Sequence, residues 1–236
     1  MESKPTVKVL KTGTICFEPT EIASAFTHQI KAGMGIGGGS TVVLVETDRK
    51  IIVDTGFDCE WLDTITNNER NAGSLKRALQ YHGVAPDEID TVFITHWHRD
   101  HFGNLGIFSK AAHIALNSLI ERFGLDNFKG ANDGEEIAEG VKVMLTSGHT
   151  VDHASVIVDS MIGDVNARVA IAGDAAISHS YLHSGHIWRY NTDFYDQEVA
   201  RESILRLLDV SDIIIPGHGT PFMTYKPEWA KNTLRK

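Results

Sequence analysis

The sequence predicts an α/β protein, a single domain over residues 1–236, whose sheets mix hairpins with strand–helix crossovers. Three observations carry this expectation. A chain of 236 residues with 42% hydrophobic side chains can build a sizeable core and is too apolar to remain disordered. Short runs rich in β-branched residues alternate with stretches of helical period. Some of those runs are joined by turns too short for a crossover, which argues against a purely parallel, doubly wound sheet.

Taken in order, residues 7–10 and 14–17 read as an opening strand or hairpin. The glycine-rich run 33–39 reads as a loop, since no Gly-Lys-Ser/Thr follows to make it a phosphate cradle. Residues 41–45 and 50–54 flank the polar turn 46–49, a hairpin signal. Over 73–83, Leu75, Ala78, Leu79 and His82 recur at helical spacing and Gly83 supplies the stop. Residues 91–95 form a β-branched apolar run suited to a buried strand, and further strands are expected at 112–116, 141–145, 155–158 and 168–172. A helix over 195–208 and a last buried strand at 213–215, closed by Pro216, complete the chain. Three of these strands run straight into polar loops: into His96, into Gly173-Asp174, and into Pro216-Gly217-His218. In α/β sheets, ligands collect at the carboxyl ends of strands.

Composition singles out one residue type. The chain has 12 His against only 2 Cys, and histidine is both the commonest metal ligand and the usual acid or base near neutral pH. Cys16 and Cys59 are too few for a disulfide framework and read as reduced thiols. The residues after Met1 lack a basic segment followed by an apolar one, and no stretch approaches the ~18 apolar residues of a membrane span. A soluble, cytoplasmic protein is expected. With 22 Lys+Arg against 31 Asp+Glu the net charge is −9, and no basic run is present, which disfavours long polyanions held by the general surface.

The histidines concentrate in Thr95-His96-Trp97-His98-Arg99-Asp100-His101. On an extended backbone His96 and His98 share a face, whereas a helical turn starting near Asp100 swings Asp100 and His101 to another side. Two ligand sets from one loop suit a pair of metals. His149 and His218 are each flanked by small residues that let the backbone approach an ion, and Asp174 is the carboxylate best placed to join them.

This pattern, His-x-His-x-Asp-His followed by a lone His, an Asp and a final His, resembles the metallo-β-lactamase-fold superfamily from about residue 42 to 222. Val53-Asp54-Thr55-Gly56 is similar to the early Asp motif of that superfamily, and the runs 100–106 and 216–221 look most like one group of its small members. The resemblance implies a four-layer αββα sandwich. It implies His96, His98 and His149 on one metal, Asp100, His101 and His218 on a second, and Asp174 bridging both. Asp100 and Asp174 are thereby the catalytic carboxylates. Two divalent ions are implied, Zn first, with Fe or Mn as alternatives. Such a pair acidifies a bridging water toward a pKa of ~7 and polarises a substrate oxygen without a protein nucleophile. Asp54 is expected to donate support from outside the ligands, through a hydrogen bond into the His96–His98 loop.

The expected activity is hydrolysis of an ester, thioester, amide or phosphodiester in a small soluble substrate. Residues 178–193 are the expected substrate wall, with His183, Trp188, Arg189 and Tyr190 as its binding side chains beside His179 and His186. Relatives with a large inserted domain do not fit 236 residues, and lactonases of the superfamily place a Tyr where this chain has Ile177. The short stretch after His218 leaves little room for a basic glutathione-binding region. Two other readings stay open: a mononuclear non-haem iron enzyme similar to persulfide dioxygenases, and a single-strand RNA endonuclease, against which the acidic balance argues. A monomer and a homodimer are both open.

Overall fold

A strand that is apolar on both faces must be covered on both sides, and Val42, Val43, Leu44 and Val45 are all fully buried. The computed structural model, which describes residues 4–15, 17, 19, 38–58 and 65–233, shows how they are covered. In β2 (Val42–Glu46), Val43 and Val45 enter one apolar cluster, while Val42 and Leu44 enter another. β3 (Lys50–Val53) divides the same way, with Ile51 and Val53 on one side and Ile52 on the other.

The first cluster lies between two sheets, since Val143, Val156, Val169 and Ile171 reach it from the far side. One sheet has the order β1 (Thr6–Lys11), β2, β3, β4 (Thr91–Phe93), β5 (Ala112–Leu116) and β6 (Phe128–Ala131). Its first three strands are antiparallel neighbours, and β3 through β6 run parallel. The second sheet runs from β7 (Glu136–Ala138) through β8 (Val141–Leu145), β9 (Ala154–Ile162), β10 (Val165–Gly173) and β11 (Ile213–Pro216) to β12 (Phe222–Met223). All its pairings are antiparallel except β10 with β11.

The helices are α1 (Ile65–Tyr81), α2 (Arg99–Phe102), α3 (Asn117–Phe123), α4 (His179–Ser184), α5 (Gln197–Val210) and α6 (Glu228–Thr233). α1 lays Leu75 and Leu79 on Leu44, Ile52 and Val92 of the first sheet. α5 lays Ile204, Leu207 and Leu208 on Ala170, Ala172 and Ile214 of the second, with Leu182 of α4 beside them. Helix, sheet, sheet and helix stack in that order, the sandwich that the family resemblance implies. No helix among the described residues is long and apolar enough to cross a membrane.

The departures from expectation have local causes. α1 begins at Ile65 rather than 73 because its first turns are polar and anchored by hydrogen bonds instead of an apolar stripe. Asn71 accepts from the Asp58 N–H (2.6 Å) and donates to the Asp58 carbonyl (3.1 Å). α5 begins at Gln197, since the Asp196 carboxylate accepts from the N–H groups of Glu198 and Val199 and caps the helix there. Thr14 and Ile15 belong to no strand. Cys16, Cys59 and positions 33–37 of the glycine run lie outside the described residues.

Leu79 is fully buried between α1 and the first sheet. Leu79→Ala is expected to cost about 2–5 kcal/mol of stability, read as a lower urea midpoint with an unchanged slope.

Candidate metal centre

Strand direction gathers the candidate ligands. β8 pairs antiparallel with β9, β9 antiparallel with β10, and β10 parallel with β11, so β8, β10 and β11 point one way. His149, Asp174 and His218 each follow the carboxyl end of one of these strands, and His96 follows β4 of the facing sheet.

The loop after β4 is clamped by the loop after β3. The Asp54 carboxylate accepts from the Thr95 N–H (2.9 Å), the Thr95 hydroxyl (2.9 Å) and the His101 Nδ1–H (2.7 Å). Its backbone stands at φ 58°, a left-handed conformation that Asp tolerates better than most residues, and its side chain is buried. Thr55 and Phe57 then donate backbone N–H groups to the carbonyls of His101 and Asp100, each at 2.7 Å, fixing the short α2. Asp54 thus grips Thr95, just before the His96–His98 loop, and His101 beyond it.

Hydrogen bonding assigns the imidazole tautomers. Thr95 spends its hydroxyl proton on Asp54, so at 3.1 Å it can only accept from His96 Nδ1–H, which leaves His96 Nε2 bare. His98 Nε2–H donates to the Asp193 carboxylate (2.9 Å), which leaves His98 Nδ1 bare. Those two bare nitrogens face each other at 2.8 Å, and His149 Nε2 stands 3.1 Å from His98 Nδ1. Two lone pairs at that distance repel unless a cation or an added proton sits between them. Asp174 Oδ2 closes the group, 3.3 Å from His149 Nε2 and 3.9 Å from His96 Nε2.

The second group repeats the logic. His101 Nδ1–H is spent on Asp54, and His218 Nδ1–H donates to the Thr14 carbonyl at 2.7 Å. The inward Nε2 atoms face carboxylates: His101 stands 3.5 Å from Asp100 Oδ2 and 3.3 Å from Asp174 Oδ1, and His218 stands 3.3 Å from both oxygens. Ligand atoms ~2.1 Å from a common ion at tetrahedral angles lie about 3.4 Å apart. His101 Nε2 and Asp174 Oδ1 are buried without any hydrogen-bond partner, so the second group offers orphaned atoms that fit a metal ion, beside the facing bare nitrogens of the first.

The titration directions follow. Burial holds His96 well below the ordinary histidine range and His149 down at about 4, so both are neutral at pH 7. Burial works against protonation of His218 too, but Asp174 and Asp100 overcome it and push the ring up to about 10. His101 is likewise raised against burial, by Asp100, Asp54 and Asp174. Asp174 is held well below the carboxylate range, the cost of burial being outweighed by His218, His101 and His149.

Two glycines make the approach of Asp174 feasible. A Cβ at Gly217 would overlap Asp174 Oδ1, and one at Gly173 (φ 51°) would meet Thr95 Oγ1 at 2.8 Å and His153 Nε2 at 2.9 Å. His153, which stands outside the His-x-His-x-Asp-His motif, accepts from the Asp174 N–H at 3.0 Å and contacts Thr146 Oγ1 at 2.9 Å. His153 carried no sequence signal, and Asp193 only closed the expected substrate wall, because each acts across a fold-made contact rather than within a motif.

The expected substrate wall divides. Trp188 and His186 line a small cavity with Asp174, Ala175, Ala176, Ile177, Tyr181 and Leu182. Trp188 packs edge-on to Tyr190 at 4.8 Å between ring centroids, and Tyr190 also meets Phe17 at 6.0 Å. Arg189 donates to Gln197 Oε1 (3.1 Å), and His183, on the exposed face of α4, pairs with the Tyr225 hydroxyl (3.1 Å).

Comparison with known proteins places this geometry. The family model described as the metallo-beta-lactamase superfamily matches residues 34–218. The mouse metallo-beta-lactamase domain-containing protein 1 is 34% identical over 190 residues, 78% of this chain and 65% of its own length. The Emericella nidulans thioesterase pkgB is 29% identical over 164 residues, 68% of this chain and 44% of its own. This chain therefore spans less than two thirds of either relative. An N-acyl homoserine lactone hydrolase, solved with N-hexanoyl-L-homoserine at its catalytic metal centre, shares the fold with a TM-score of 0.60, 20% identity and 93% coverage of each chain. With its whole motif set inside the matched region, this chain belongs to the metallo-β-lactamase superfamily.

Proposed function

We propose that this protein is a dinuclear metal-dependent hydrolase acting on an ester or thioester of a small soluble substrate in the cytoplasm. The observation that carries the reading is the set of facing bare imidazole nitrogens of His96 and His98 together with the orphaned His101 Nε2 and Asp174 Oδ1 in one largely buried site. His96, His98, His149 and Asp174 would hold one ion, and Asp100, His101 and His218 the other. Asp174 turns Oδ2 to the first group and Oδ1 to the second, which supports a bridging role. Two divalent ions, zinc by preference for a nitrogen and oxygen donor set, would supply an acidified water and a polarised substrate oxygen.

The chain's own residues narrow the bond. The cavity beside Asp174 is walled by alanines, Ile177, Leu182, Ile187 and Trp188, with no Lys or Arg among the described residues that line it. A phosphodiester would meet no side-chain cation there to supplement the two ions, whereas an acyl group would meet apolar surface. The likeness to a thioesterase points the same way.

Asp174→Ala is expected to abolish hydrolysis across a panel of chromogenic esters, lactones and thioesters and to lower the metal content below two ions per chain by elemental analysis. Full activity with two ions retained would overturn the dinuclear reading, as would one iron per chain with oxygen consumed on adding a persulfide. Trp188→Ala is expected to raise KM on that panel while leaving metal content unchanged, and unaltered kinetics would remove Trp188 from the site.

Proton release offers a further test. His101 and His218 carry protons in the metal-free protein at pH 7, whereas His96 and His149 do not. Filling both groups should release at least about two protons near pH 7, the histidine share falling as pH rises through about 10, where His218 has already lost its own. Calorimetry in buffers of different ionisation enthalpy measures this, and zero release near pH 7 would contradict the assignment.

A further inference from the structure

We propose that Asp193 is a positioning residue for the first metal, fixing the tautomer and ring orientation of His98 from the connection between α4 and α5. The inference rests on the proposed metal role of His96, His98, His149 and Asp174.

Three of the other candidate histidines are oriented by groups outside that connection. His96 leans on Thr95, His101 on Asp54 and His218 on the Thr14 carbonyl. His98 stands at the open side of the site, its side chain 22% exposed, and its outer nitrogen meets Asp193 Oδ1 at 2.9 Å across 95 positions of sequence. A carboxylate only accepts, so it requires Nε2–H and leaves Nδ1 bare toward His96 and His149. It also makes the ring a stronger donor to a metal, as carboxylate–histidine pairs do.

Asp193 is itself held. Asn191 Nδ2 donates both to Asp193 Oδ1 (2.9 Å) and to the His149 carbonyl (3.1 Å), so one short segment touches two members of the same ligand group. That segment continues from Trp188 and Tyr190, and thereby joins the substrate wall to the metal site.

The test is zinc affinity by competition with a chromophoric chelator, for wild type, Asp193→Ala and Asp193→Asn, with visible absorption of the cobalt-substituted proteins and thermal unfolding of the metal-free ones. Asp193→Ala should weaken one zinc site by about 10–100-fold and alter the cobalt spectrum. Asp193→Asn keeps an accepting Oδ1 and should recover most of the affinity. The metal-free proteins should unfold within about 2 °C of one another, because Asp193 is partly exposed and its removal leaves the core intact. Wild-type affinity and spectrum in Asp193→Ala would overturn the role of Asp193 alone, and an Asn variant as weak as Ala would overturn the hydrogen-bond basis. A wild type that takes up no metal would defeat the metal-centre reading and the inference with it.

Discussion

The structure turns on one constraint: every candidate histidine with an assigned outer partner has spent its outward N–H, so only its inward nitrogen is left to take a proton or a metal ion. Thr95, Asp193, Asp54 and the Thr14 carbonyl take those protons. Two carboxylates, Asp100 and Asp174, are pressed into the same space, with His101 Nε2 and Asp174 Oδ1 buried and unpartnered. A protein interior does not leave such groups unsatisfied without a compensating charge. In the metal-free protein, protons on His101 and His218 supply part of it, and metal cations would supply all of it.

The fold exists, for this purpose, to hold those outer partners rigid. Burial on both faces of β2, β3, β10 and β11 locks each strand between a sheet and a helix layer. The loops at their carboxyl ends therefore start from fixed points. Asp54, one residue past β3, accepts a strained backbone so that its carboxylate can reach two places at once. Asp174, one residue past β10, approaches through space that only glycine at 217 leaves open.

The sequence made the ligand-bearing part of this legible because it is local. His96, His98, Asp100 and His101 sit within six positions, and the β-branched run before them marks the strand end that carries them. Continuous apolar, β-branched runs likewise revealed the double-faced strands. The start of α1 was not legible, since Asn71 anchors it through Asp58 rather than through an apolar stripe. Nor were His153 and Asp193, whose partners, the Asp174 N–H and His98, lie far away in the chain. Within the expected substrate wall, residue type alone could not separate Trp188, which lines the cavity beside Asp174, from His183, which pairs with Tyr225 on the outer face of α4.

The most direct measurement of the central claim is anomalous X-ray scattering at the metal edge from crystals of the zinc-loaded protein. The account predicts two peaks in each molecule, one enclosed by His96 Nε2, His98 Nδ1 and His149 Nε2, the other by Asp100, His101 Nε2 and His218 Nε2, with Asp174 between them. A single peak, or metal bound elsewhere while these nitrogens stay empty, would contradict it.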